Sequence, residues 1–133
     1  MCRSGLFILV VFLISSFLMT VQANEVEIVK VEFVSKGGES WRVNTTLKHN
    51  DTGWDHYADA WRVVDEKGNQ LGERILFHPH ENEQPFTRSL QRLIVSKNIS
   101  TVFVEAHDKV HGWSKQRIKV DLKSNKGERY TVR

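Results

Sequence analysis

The sequence predicts an all-β fold, and three observations predict it. Apolar residues recur at every second position almost throughout, the apolar pieces are short and bounded by turn residues, and no stretch keeps the i, i+3, i+4 spacing of a helix.

Taken in order, strand one runs from Val26 to Val34 and ends in the turn Ser35-Lys36-Gly37-Gly38. Strand two, Trp41 to His49, alternates Trp41, Val43, Thr45 and Leu47 against Arg42, Asn44, Thr46 and Lys48, so one face is wet. Strand three, Tyr57 to Val64, closes through Asp65-Glu66-Lys67-Gly68-Asn69, a hairpin signal with Gly where positive φ is needed. Strand four is Gln70 to Phe77. Strand five, Phe86 to Val95, carries Phe86, Leu90 and Ile94 at irregular spacing, which predicts a bulge or an edge position. Strands six (Thr101 to Ala106) and seven (Lys115 to Leu122) present Val102, Val104, Ala106 and Ile118, Val120, Leu122 to one face each.

Seven short antiparallel strands in about 100 residues is the pattern of an immunoglobulin/fibronectin-like sandwich, with Trp61 where such folds often keep a core Trp. The lack of Cys in that stretch favours the fibronectin-like kind, and a small closed barrel is the competing architecture. That length is one domain, 24–133, with no internal repeat or low-complexity segment.

Ahead of it, residues 1–23 read as a cleavable signal peptide. A single Arg3 precedes the uncharged 14-residue run Leu6 to Met19, which is too short for a comfortable span, and Val21-Gln22-Ala23 supplies small residues for cleavage before Asn24. The expected destination is outside the cytoplasm, periplasmic or secreted, with no membrane span in the mature chain. Cleavage would remove Cys2, Met1 and Met19, and with them every sulfur ligand. Cys2 lies before the apolar run, whereas a bacterial lipoprotein places its acylated Cys after it, so the sequence does not predict a lipid anchor.

Without Arg3 the 19 basic residues become 18 against 16 acidic ones, too balanced to suggest nucleic acid as a partner. The basic run from Lys109 to Arg133 reads as a solvated strand face and a frayed tail.

The segments HNDTGWDHYADAW, LGERILFHPHENEQPF and AHDKVHGW resemble those of small exported bacterial proteins of uncharacterised function. The resemblance covers most of the mature chain and implies export without implying an activity.

The six histidines fall in three connections: His49 and His56 after strand two, His78 and His80 after strand four, His107 and His111 after strand six. In the predicted strand order these connections share one end of the sandwich, together with Asp51, Trp54, Asp55, Tyr57, Glu81, Glu83, Asp108 and Trp113. Loops grouped on one end of a rigid scaffold are a standard place for function. In His78-Pro79-His80 the two imidazoles start on one side of an extended segment, and His107 and His111 bracket a turn. His78, His80, His107 and His111 are therefore the expected metal ligands. His49, His56, Trp54, Asp55, Glu81, Glu83, Asp108 and Trp113 are expected to support them or to contact a partner.

Imidazole without sulfur points to Cu²⁺ or Zn²⁺, with Ni²⁺ also compatible. The spacing matches no metal signature such as H-E-x-x-H, so loop histidines that only bond turn backbone remain an alternative. A second alternative is a metal-independent module that binds a protein or cell-envelope partner through the same loops. A His/Asp hydrolase, using His107 with Asp108 or His56 with Asp55, is weaker because neighbours in a strand point to opposite faces. Asp51-Thr52-Gly53-Trp54-Asp55 lacks the alternate oxygen ligands and closing Glu of a calcium loop. Ser40, Ser89 and Ser114 have no nucleophile context, and no catalytic motif is present.

Overall fold

The computed structural model describes residues 25–133, so the expected leader, 1–23, lies outside the described residues. Among the described residues there are nine strands and no helix: β1 (Glu27–Ser35), β2 (Ser40–Lys48), β3 (Ala58–Asp65), β4 (Gln70–Ile75), β5 (Phe86–Ile94), β6 (Thr101–Asp108), β7 (Gly112–Asp121), β8 (Lys126–Gly127) and β9 (Tyr130–Val132). They form two sheets in a sandwich-like arrangement, one in the order β5-β2-β1-β9-β8 and the other β4-β3-β6-β7.

The first seven strands coincide with the seven read from periodicity, to within three residues at each end. The count of seven is corrected to nine by the C-terminal segment. That segment does not fray, because β9 lies parallel to β1 and exchanges backbone hydrogen bonds with it (Val31 N to Arg129 O, 2.8 Å; Arg133 N to Phe33 O, 2.9 Å). Tyr130 and Val132 pack on the core from there. Arg133 and Arg129 add ion pairs to Glu32 and Glu27, so the basic residues of the tail attach it. Strand five is both edge strand and bulged partner: its pairing with β2 slips between Trp41 and Val43.

Each sheet turns one face inward. Phe33, Val43, Leu47 and Phe86 from one sheet meet Trp61, Val63, Val102, Val104 and Val120 from the other, all essentially closed to solvent. Full burial of one such side chain contributes about 1.5–3 kcal/mol. The inward parity does not stop where the apolar residues stop. On β2 it runs Val43, Thr45, Leu47 and then His49; on β6 it runs Val102, Val104, Ala106 and then Asp108. Period two therefore points a histidine from one sheet and an aspartate from the other into the same end of the sandwich. Two register shifts, Ala58/Ala60 and Glu105/His107, sit at that end, as bulges beside functional sites commonly do.

Candidate metal centre

Two connections build the site. Between β2 and β3, Thr52 N donates to His56 O and His56 N to Gly53 O, making a tight turn with Gly53 at φ 141°, a conformation L side chains rarely adopt. This turn brings His56 back beside His49, with ring centroids 4.9 Å apart. Between β6 and β7, Asp108 Oδ1 accepts the backbone N–H groups of Val110 (2.9 Å) and His111 (2.7 Å). Gly112 at φ 74° completes that turn, and His111 is folded over the Asp108 carboxylate, its Nδ1 at 3.1 Å from Oδ1 and 3.2 Å from Oδ2.

His49, His56 and Asp108 each offer one ligand atom, and these atoms all lie within 4.8 Å of one another. Asp108 and His49 side chains are fully buried, and His56 is partly so. His56 Nε2 is 3.3 Å from Asp108 Oδ1, and His49 Nε2 is 3.9 Å from Oδ2. A tetrahedral ion with bonds of about 2.0–2.1 Å has ligand-to-ligand edges of about 3.3–3.4 Å, so these separations need only small adjustment. His56 Nε2 is buried and makes no hydrogen bond, a position that metal coordination would satisfy. The donor set is two imidazoles and a carboxylate, which suits Zn²⁺ or Cu²⁺.

The far side of the site is tied down. His49 Nδ1 pairs with Asp51 Oδ1 at 2.5 Å, which fixes the tautomer that presents Nε2 toward Asp108. Asp51 also accepts Ala58 N (3.0 Å) and His80 N (2.8 Å), so one buried carboxylate anchors three segments. Gln84 adds a bridge, accepting His49 N and donating to His80 O. Burial works to raise the Asp108 carboxyl, but the N–H groups of His111 and Val110 and the imidazoles of His111 and His49 outweigh it and hold the group below the usual range.

Of the four expected ligands, only His111 borders this group. His78 and His80 lie against each other with their rings tilted by 38° (centroids 4.5 Å) on the far side of Asp51, and His80 lies flat on Phe86 at 4.0 Å and accepts Arg88 Nη2 on Nε2 at 2.9 Å. They line a cleft of about 490 Å³ with Gly53, Trp54, Glu81 and Glu83. Trp54 is 63% exposed there, and Asp55 is exposed at the tip of its turn. His107 faces another way: its Nδ1 pairs with Asp59 Oδ1 and its ring sits edge-on to Trp113, which is capped by the Arg62 guanidinium at 3.7 Å. His107 is thus paired with Asp59 and not with Asp108, and the carboxylate that lies 3.3 Å from His56 Nε2 is that of Asp108 and not of Asp55. The convergent trio was expected only in a supporting role, and the parity of β2 and β6 is the signal that marks it.

No family model matches the chain, and no solved structure matches it. A curated protein of Halomicrobium mukohataei that carries the name "Putative lipoprotein" is 40% identical over 100 residues, which cover 75% of this chain and 49% of that protein. The chain therefore spans about half the length of the curated relative it matches.

Proposed function

We propose that this chain is an exported, non-catalytic β-sandwich domain that binds one divalent cation, Cu²⁺ or Zn²⁺, through His49, His56 and Asp108. The observation that carries the reading is the convergence of three ligand atoms within 4.8 Å, two of them from fully buried side chains. Burying a carboxylate beside imidazoles is costly unless the charges are matched, and an ion would match them. Export is supported by the leader pattern of residues 1–23 and by the name of the Halomicrobium relative. The division of β1, β2 and β5 from β3, β6 and β7 supports the immunoglobulin/fibronectin-like reading, because that fold separates strands A, B and E from C, F and G. Calorimetric titration of the purified protein with Zn²⁺ and with Cu²⁺ tests it: one saturable site is expected, lost in His49→Ala and Asp108→Asn. Absence of saturable binding by the wild type would refute the reading.

A second reading uses the cleft of Trp54, His78, Glu81 and Glu83 as a metal-independent surface for a protein or cell-envelope partner. The exposed indole favours it. Binding to isolated envelope material that persists in chelator, and is lost in Trp54→Ala but kept in Asp108→Asn, would select it.

A further inference from the structure

We infer that His111 is the fourth ligand of this site and its exchangeable one, closing the coordination sphere from the solvent side. The inference rests on the metal-binding reading above.

The four side chains form a gradient of exposure. Asp108 and His49 side chains are at 0%, His56 at 18% and His111 at 32%. Two ligands are thus fixed by the core, one by a tight turn, and the last sits on a short surface turn. His111 Nδ1 stands 3.1 and 3.2 Å from the two Asp108 oxygens, close to the edge of about 3.3–3.4 Å expected in a tetrahedron of 2.0–2.1 Å bonds. Its ring centroid is 5.0 Å from that of His56, much as His56 is 4.9 Å from His49. The three imidazoles are therefore arrayed around one carboxylate.

The supports of the four ligands differ in kind. His49 is held through Nδ1 by Asp51, which is itself bonded to Ala58 N and His80 N. The ring of His111 has Asp108 as its hydrogen-bond partner, and the turn that carries it is capped by the same carboxylate. Rotating the His111 side chain outward breaks no other hydrogen bond of the ring given by the structure. It would open one position of an otherwise three-ligand site, the arrangement that lets an incoming ligand reach a zinc-type ion. Entry and departure of the ion, or hand-over to an imidazole or carboxylate of another molecule, would then pass through this position.

Co²⁺ reports coordination number through its visible bands, and it serves as the probe. With the purified wild-type protein, saturating Co²⁺ should give the intense bands of a four-coordinate site. His111→Ala should bind one Co²⁺ with weaker bands and release it to a chelator faster. Removing even an outer partner of a ligand lowers affinity about 10- to 100-fold, so losing a direct ligand should lower it at least tenfold. Added imidazole should restore the wild-type spectrum in the variant, a rescue that a merely structural role would not give. Unchanged spectrum, affinity and release in His111→Ala, with the wild type binding normally, would overturn this inference alone. No saturable Co²⁺ binding by the wild type would overturn it together with the reading beneath it.

Discussion

Asp51 accepts the Nδ1 proton of His49 at 2.5 Å with both side chains fully shielded from water. The same carboxylate caps Ala58 N and His80 N, so it orients the His49 imidazole and joins two loops. If the site binds metal as proposed, Asp51→Asn should keep one metal per chain and weaken binding about 10- to 100-fold, as loss of an outer partner does. Asp51→Ala leaves two buried N–H groups unpaired at about 1–3 kcal/mol each. It should therefore unfold at lower urea, by at least about 2 kcal/mol, even in chelator.

His80 should make stability depend on pH. Burial first, then the Arg88 guanidinium and His78, hold its imidazolium below the usual pKa, against the pull of Asp51 and Glu83. The unfolded chain takes up this proton near pH 6.5, and the folded chain does so only at lower pH. The contribution is thus fully present above about pH 6.5 and is lost as pH falls through the folded value. Urea titrations in chelator should show stability declining from pH 7 to pH 5, less steeply in His80→Asn. Arg88→Gln should raise the His80 pKa read from its ring proton by NMR.

The strands were legible because one-face burial writes period two into the sequence, and β1 to β7 follow it to within a few residues. β8 and β9 were hidden because strands of two and three residues are too short to show a period. The end of the sandwich that gathers histidines was also legible from strand order. The assignment within it was not, because His78-Pro79-His80 looks like a ligand pair by local geometry while His80 is committed to Phe86, Arg88 and Asp51. His49 and Asp108 were legible in principle as polar residues on inward parity, where an apolar side chain is the default.

Removing residues 125–133 should destabilise the domain by about 2 kcal/mol or more, since Tyr130 and Val132 are each half-buried and full burial of one side chain contributes about 1.5–3 kcal/mol. Thermal unfolding followed by circular dichroism reads the loss. Arg133, then Asn44, holds the Glu32 carboxyl below its usual range, so Arg133→Ala should raise the Glu32 pKa toward the ordinary value in an NMR titration.

Gly72 lies on β4, the edge strand of its sheet, against β5, the edge strand of the other. A Cβ there would lie 2.6 Å from Leu93 Cδ1 and 2.9 Å from Leu90 Cδ2. Leu93 is buried in the core and cannot swing aside without disturbing its neighbours, so Gly72→Ala should cost about 1–3 kcal/mol, the usual range for overpacking. Part of the loss should be recovered by adding Leu90→Ala, as chemical denaturation of the single and double variants would show.

The placement of His49 at the end of β2 and Asp108 at the end of β6 has a mechanical meaning. These strands belong to different sheets, and in the immunoglobulin/fibronectin-like reading proposed above they take the places of the B and F strands that antibody domains join by a disulfide. Here the lone cysteine, Cys2, lies outside the described residues, so an ion gripped by both ends would act as a removable staple. It would close a loop of some 60 residues, and a cross-link of that span removes about 4 kcal/mol of unfolded-chain freedom in the chain-entropy picture. A chelator would then unlock the two sheets much as a reductant does in a disulfide-bonded domain, with no covalent bond made or broken.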